Sequence, residues 1–310
     1  MIRIAPRVRN TLLICLCLVL VFWLGTLRQG REQIITESLF PAQHPAVIAH
    51  QGGNLEQPGN TLQAFRHAMA LGVDVLEMDV HTSLDGHLMV IHDATVDRTT
   101  NGHGAVADMT RVALQTLDAG YFWPHVNGEL QSDAQTQSGR DFPWRNRGLY
   151  IPALEEVLAG FPQAFKIIEL KPEQPAVAEQ LCALLRAAEQ QRRVVVASFH
   201  AAALNAFRNA CPTVATSASP AESLRFVVLG RLGLQGFFAS PALALHLPLE
   251  RSGFRLLSAP VLADAKALGL RIDYWTINSL EDMRSAIELG AHGIMTDRPE
   301  MLLRELGRIR

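Results

Sequence analysis

The chain is short of charge, of aromatic side chains and of cysteine. Only 19% of its 310 residues are charged, and 28 Lys and Arg nearly balance 30 Asp and Glu. That balance excludes a nucleic-acid binder working by bulk charge. Four cysteines are too few for a disulfide scaffold. What is plentiful is apolar material, at 48%, which excludes disordered and collagen-like chains. The length suits one large α/β barrel as well as two small domains.

One long apolar run stands out, TLLICLCLVLVFWLGTL at residues 11–27. It is uncharged and at the short end of what spans a bilayer. Arg3, Arg7 and Arg9 precede it, while Arg28 and Arg31 follow, diluted by Glu32 and Glu37. A cleaved signal peptide is the competing reading, but Trp23 to Arg28 offers no small-x-small site and neither Cys15 nor Cys17 sits in a lipoprotein box. The expectation is an uncleaved single-pass anchor with residues 1–10 cytoplasmic, 28–45 a tether, and the rest exported. If the source is bacterial, that is the inner membrane with the barrel facing the periplasm. Only Cys182 and Cys211 belong to the exported part. Without a CxxC or a nearby His they fit no zinc pattern. Two buried thiols are expected, with one disulfide as the alternative in an oxidising compartment.

From residue 46 onward, β-branched runs alternate with amphipathic stretches. Strand-like runs fall at 46–50, 73–80, 87–93, 164–170, 193–199, 271–278 and 292–297, with weaker ones near 213–216 and 236–239. Helix-like stretches fall at 60–71 (Asn60 as N-cap), 154–158, 175–190, 261–268 and 280–289. About eight strands alternating with helices predict an α/β fold, a (β/α)8 TIM barrel over residues 46–310. Two features break the regularity. The link VHTSLDGH after the second run is too short for a helical crossover and carries the hairpin signal Asp85-Gly86. Either a helix is missing there or the flanking runs pair antiparallel. Residues 99–150 read as an insertion over one face.

Polar residues interrupt the apolar runs near their ends: His50, Glu77 with Asp79, His92, and Glu169 with Lys171. In a parallel barrel these ends share one face, and side chains two apart point the same way. His92 shares parity with Leu88 and Val90 and is expected to face the interior they fill. Three carboxylates suit a hard cation such as Ca²⁺ or Mg²⁺. Two imidazoles suit acid/base work, and an ammonium offsets charge on an anionic oxygen. Together they describe phosphoryl-ester cleavage.

The same residues sit in stretches that resemble the glycerophosphodiester phosphodiesterase family of phospholipase-C-like TIM barrels. These are IAHQGGNLEQPGNTLQAF (48–65), GVDVLEMDVHTSLDGHLMVIHDATVDRTTNGHG (72–104), IPALEEVL (151–158), FKIIELK (165–171), VVVASF (194–199), DYWTIN (273–278) and HGIMTDRP (292–299). They run in the family's order, and the family has both the short link and the insertion. The resemblance implies a divalent cation on Glu77, Asp79 and Glu169, and an acid/base pair in His50 and His92. It also implies that Lys171 holds the phosphate and Trp275 lines the pocket. In related phosphodiesterases the residue matching His92 is sometimes a metal ligand instead.

Two departures matter. The family has His-Arg where this chain has His50-Gln51, and Pro-Glu-Asn-Thr where it has Pro58-Gly59-Asn60-Thr61. Gln51 replaces a bidentate phosphate donor with a neutral, weaker hydrogen bond. Losing Arg and Glu together keeps the charge balance, which points to a variant site rather than a decayed one. The activity implied is hydrolysis of a small-molecule glycerophosphodiester to an alcohol and glycerol phosphate by a membrane-anchored enzyme. Lysophospholipase D-type cleavage of lysophospholipids is the alternative substrate reading, and a non-catalytic, membrane-tethered phosphodiester-binding barrel is the alternative from another class.

Overall fold

Valine-rich and alternating runs such as Val194-Val195-Val196 stiffen χ1 and favour the extended chain. In the computed structural model, which describes residue 40 and residues 45–123, 125–126, 129–130, 142–251 and 253–310, nine such runs form one sheet. They are β1 (Ala46–Ala49), β2 (Val75–Thr82), β3 (Leu88–Val90), β4 (Phe165–Leu170), β5 (Val194–Ala197), β6 (Ala215–Thr216), β7 (Ala244–Pro248), β8 (Arg271–Trp275) and β9 (Gly293–Thr296). All except β3 are parallel, in the order β6-β5-β4-β2-β1-β9-β8-β7. A parallel bridge from Ser217 to Ala244, with Ala218 N–H donating to Ala244 O at 2.8 Å, joins the two ends into a barrel.

Side-chain parity divides the apolar residues into two layers. Ile48, Val75, Ile167, Val195 and Met295 fill the barrel interior. Val47, Leu76, Met78, Ile168 and Val196, one residue out of step, pack outward against the helices. Those helices are α1 (Leu62–Leu71), α2 (Arg111–Gln115), α3 (Leu154–Gly160), α4 (Pro175–Ala187), α5 (Ala201–Ala210), α6 (Pro220–Arg231), α7 (Ala259–Ala267), α8 (Leu280–Glu288) and α9 (Pro299–Glu305). Their starts are written in the sequence: Pro175, Pro220 and Pro299 open helices where a missing N–H costs nothing. Ser219 and Ser279 cap α6 and α8 through their side chains.

Several expectations are corrected. Of the two readings of the short link the antiparallel one holds, with Val80 opposite Val90, so the 87–93 run is not a barrel strand. Leu88 and Val90 therefore pack in the outer layer, and His92 reaches the mouth only after the chain has left β3. The eighth barrel strand is Ala244–Pro248, while 235–237 is a single 3₁₀ turn. α2, α5, α6 and α9 have no counterpart among the helix-like stretches of the sequence. Thr61, not Asn60, caps α1, its hydroxyl accepting from Ala64 N–H at 3.1 Å. Asn60 instead takes a left-handed φ of 57°. Cys182 and Cys211 are not two thiols but a disulfide tying α4 to the end of α5.

The described part of the 99–150 insertion packs Val106, Leu114 and Ala119 against Met89, Ile91 and Val96 of β3 and the segment after it, in a second small core. The expected anchor at 11–27 lies outside the described residues. Among those described, no helix is long and apolar enough to cross a membrane.

Candidate active site

On β1, β2, β4 and β9 the inward parity leads to a polar side chain at or just past the strand end. On β2 it runs Val75, Glu77, Asp79, and on β4 it runs Ile167, Glu169, followed by Lys171 just past the strand. β2 and β4 pair with Asp79 directly opposite Glu169, so register alone brings the carboxylates together. One oxygen from each of Glu77, Asp79 and Glu169 lies within 4.8 Å of the other two. The Lys171 ammonium spans two of them, 3.0 Å from Asp79 Oδ1 and 2.9 Å from Glu169 Oε1.

Asp79 is almost wholly buried, and burial opposes its charge. Lys171, then His92 and His50, then the Asn60 hydrogen bond outweigh that and hold its carboxyl below the usual range. Glu77 moves the other way: burial and the neighbouring Asp79 charge push it up to about 8. Three carboxyl groups therefore share one ammonium, and their crowding is what raises the cost of ionising Glu77. Two neutral supports complete the cluster. Gln51 N–H donates to Glu77 Oε2 at 2.9 Å, and Asn60 Nδ2–H donates to Asp79 Oδ2 at 3.0 Å.

His50 continues β1 and sits 3.9 Å from Glu77 through Nε2. Its Nδ1 is 2.6 Å from Asp297 Oδ1. Burial alone would lower its pKa, but the Asp297 hydrogen bond and the Glu77, Asp297 and Asp79 charges raise it to about 9. His92 lies across the mouth, its Nδ1 2.7 Å from Asp93 Oδ1, and Arg98 grips Asp93 through two nitrogens. His81 Nε2–H donates to the backbone carbonyl of His92 at 3.1 Å, which fixes the loop carrying it.

Seven of the eight residues singled out in the sequence line one cavity of about 780 Å³: His50, Glu77, Asp79, His92, Glu169, Lys171 and Trp275. Gln51 does not. It takes a left-handed φ of 52° and buries its side chain beside Gly59. Its contribution is the backbone N–H to Glu77, not a hydrogen bond from its amide into the cavity.

Sequence reasoning passed over Asp297, Asn278, Asn60, Asp93 and His81. Asp297 was within reach, because it ends the inward parity of β9 just as Asp79 ends that of β2. Asn278 Nδ2–H donates to its Oδ2 at 2.7 Å and orients it.

The arrangement is that of a phosphodiester-cleaving centre: an oxygen-donor cluster for a hard cation, an ammonium and two carboxylate-backed imidazoles. Known proteins agree. The sequence pattern of the glycerophosphoryl diester phosphodiesterase family matches residues 50–301. A glycerophosphodiester phosphodiesterase of Caldanaerobacter subterraneus subsp. tengcongensis is 33% identical over 268 residues, spanning 83% of this chain and 96% of that relative. The crystal structure of a glycerophosphodiester phosphodiesterase from Agrobacterium tumefaciens superposes with a TM-score of 0.62 at 26% identity, covering 84% of this chain and 99% of its own. An Oleispira antarctica phosphodiesterase, solved with the product sn-glycerol-3-phosphate, shares the fold at TM-score 0.63 and 24% identity, covering 85% of this chain and 97% of its own. The chain therefore belongs to the glycerophosphoryl diester phosphodiesterase family and is a phosphoric diester hydrolase.

Proposed function

We propose that the protein hydrolyses glycerophosphodiesters to an alcohol and glycerol phosphate, with a divalent cation on Glu77, Asp79 and Glu169 and proton transfer by His50 and His92. The observation that carries this reading is the meeting of those carboxylates with both imidazoles in one cavity. The donor set fits a hard cation: every ligand atom is oxygen, and Glu77 is pushed up to about 8 by burial and by a charge that a cation would neutralise. When bound, such a cation polarises the phosphoryl group and stabilises the charge that develops on it.

The protein's own groups do the rest. Lys171 offsets charge on a phosphoryl oxygen. One imidazole takes the proton of the nucleophile, which is water or the neighbouring glycerol hydroxyl. The other gives a proton to the departing alcohol. Asp297 and Asp93 each engage an Nδ1, which leaves Nε2 as the exchanging nitrogen on both rings. Purified protein assayed on glycerophosphocholine with Ca²⁺, Mg²⁺ or chelator tests this. His50→Ala and His92→Ala should each lower turnover by about 10²–10⁴-fold. Variants that match wild type, or turnover that survives chelation, would overturn it.

The same reading puts the enzyme at a membrane, held by residues 11–27, with the N-terminus cytoplasmic and the barrel exported. Arg3, Arg7 and Arg9 beside an uncharged run support that orientation. The Cys182–Cys211 disulfide supports an oxidising compartment. Carbonate-washed membranes should retain the chain, and deletion of 11–27 should release it.

A further inference from the structure

Helix α6 carries apolar side chains on two faces. On the inner face Phe226 is buried, and Val227 and Leu229 pack with it on the outer core. Leu224 and Val228, with Leu232 one residue past the helix end, follow an i, i+4, i+8 spacing. That spacing sets them in one stripe nearly opposite Phe226. Leu234 and Phe237 follow directly in the chain. These five side chains are between 42% and 71% exposed. Single exposed hydrophobes need no explanation, but five within residues 224–237 form a patch, and a patch marks an interaction surface.

The exposed charge beside the stripe has one sign. Arg225 and Arg231 are both exposed, and the helical spacing sets them on its two flanks. Glu222 is the only acid between residues 220 and 240, and it is drawn inward. Arg208 of α5 clamps it with two nitrogens at 3.1 and 3.0 Å, Ser240 Oγ–H donates to it at 2.7 Å, and Ser219 caps the first turn. These bonds and the Phe226 contacts fix the inner face, so the outer stripe is held out by an anchored helix. Arg231 also lies over the Phe254 ring, 4.4 Å from its centroid. The hairpin at 250–255 thereby continues the patch, adding exposed Phe254, and Arg251 and Arg255 against one acid, Glu250.

We propose that this face docks on an anionic phospholipid bilayer, with Val228, Leu232 and Phe237 at the headgroup–acyl boundary and Arg225 and Arg231 against lipid phosphates. The proposal rests on the reading that residues 11–27 hold the chain in a membrane, and it names the barrel surface that lies on that membrane. The tether permits it. Phe40 packs on Phe165 and under Arg271, the first residues of β4 and β8, so the tether meets the barrel at its base. Residues 28–39 reach about 40 Å when extended, against a radius of gyration of roughly 18 Å for a domain of this size. The barrel can therefore lie on its α6 side. A second copy of this chain would set Arg225 and Arg231 against like charges, whereas lipid phosphates meet them with the opposite sign.

The test uses the full-length chain with nanodiscs of phosphatidylcholine, with and without phosphatidylglycerol. Photoreactive p-benzoylphenylalanine stands in place of Val228, Phe237 or, as control, Val112, an exposed apolar residue of α2. Lipid adducts counted by mass spectrometry should be about tenfold more abundant at 228 and 237 than at 112, and should increase with phosphatidylglycerol. Leu232→Gln combined with Phe237→Ser should cut the adduct at 228 about tenfold. Both side chains are exposed, so Tm should stay at the wild-type value. Equal adduct yields at 228, 237 and 112 overturn the proposal. Protein–protein adducts in place of lipid adducts also overturn it, with a second copy as the occupant. Carbonate washing separates this failure from failure of the anchor. A chain that membranes retain without adducts at 228 and 237 keeps its anchor and loses the docking face. A chain that carbonate releases but that still forms those adducts keeps the docking face and loses the anchor.

Discussion

His50 Nδ1 and Asp297 Oδ1 lie 2.6 Å apart across the seam between the first and last barrel strands. β1 and β9 pair with Ala49 opposite Thr296, so His50 and Asp297 are the next rung of the same ladder. Barrel closure itself therefore supplies the imidazole with its carboxylate. Asp297→Asn keeps the shape but removes the charge that holds the ring in one tautomer. It should lower kcat by about 10–10³-fold with KM little changed. A kcat within twofold of wild type would show that the rung is structural only.

The three carboxylates predict a stability response that needs no substrate. Glu77 is held up to about 8 by burial and the Asp79 charge, which is strain that a cation relieves. Saturating Ca²⁺ or Mg²⁺ at about 100–1,000 times Kd should add roughly 3–4 kcal/mol, read as a rise in Tm. Asp79→Asn and Glu169→Gln should abolish most of that rise. An ion-independent Tm in wild type would remove the case for a cation here.

The exchange at 51 and 59 is a packing fact as well as a chemical one. A Cβ at Gly59 would come within 2.8 Å of Asn54 Cγ and 2.9 Å of Gln51 Oε1, closer than packed atoms tolerate. The space a longer side chain needs is already filled by Gln51 and Asn54. Gly59→Ala should therefore destabilise the protein by about 1–3 kcal/mol. Adding Asn54→Ala should recover part of it, measured as a coupling in a double-mutant cycle. Strictly additive effects would mean the two positions do not compete for space.

Much of this site was legible because a barrel turns parity into position. Glu77 and Asp79 share the parity of Val75, and Glu169 that of Ile167, so an alternating pattern placed them inward and a parallel sheet placed them at one end. His92 reached the mouth by another route, because β3 runs antiparallel and its outward residues pack on helices. β7 was missed because prolines at 241 and 248 bracket its run, and α6 because Leu224 and Val228 are exposed beside Phe226, Val227 and Leu229 that pack on the core, which blurs its apolar stripe. For Gln51 the sequence gives the side chain's chemistry but not its surroundings: the side chain is buried beside Gly59, and its backbone N–H serves Glu77.

The spacing of Cys182 and Cys211 could not separate a bond from two thiols, since their 29-residue separation is closed only by the packing of α4 on α5. A link closing that loop should stabilise by about 3–4 kcal/mol through the unfolded chain. Cys182→Ala with Cys211→Ala, or reduction with dithiothreitol, should lower the urea midpoint accordingly. Activity at 25 °C should change little, because neither residue lines the cavity. A midpoint unmoved by reductant would mean that the two sulfurs are not linked.

Glu222 links acid stability to the anchoring of α6 on α5. Burial would raise its pKa, but Arg208, the Ser219 N–H and the Ser240 hydroxyl hold it down at about 2, against an ordinary value of 4.5. Because the folded value lies below the unfolded one, the stabilisation is complete above about pH 4.5 and disappears as pH falls towards 2. A depression of that size corresponds to roughly 3 kcal/mol for this largely buried carboxylate, which is 14% exposed. Glu222→Gln should lose about that much at pH 7 and flatten the pH dependence between 4.5 and 2. Urea unfolding of both proteins at pH 7, 4 and 3 measures it. Equal slopes below pH 4.5 would show that Arg208 and Glu222 do not hold α6 as an ion pair.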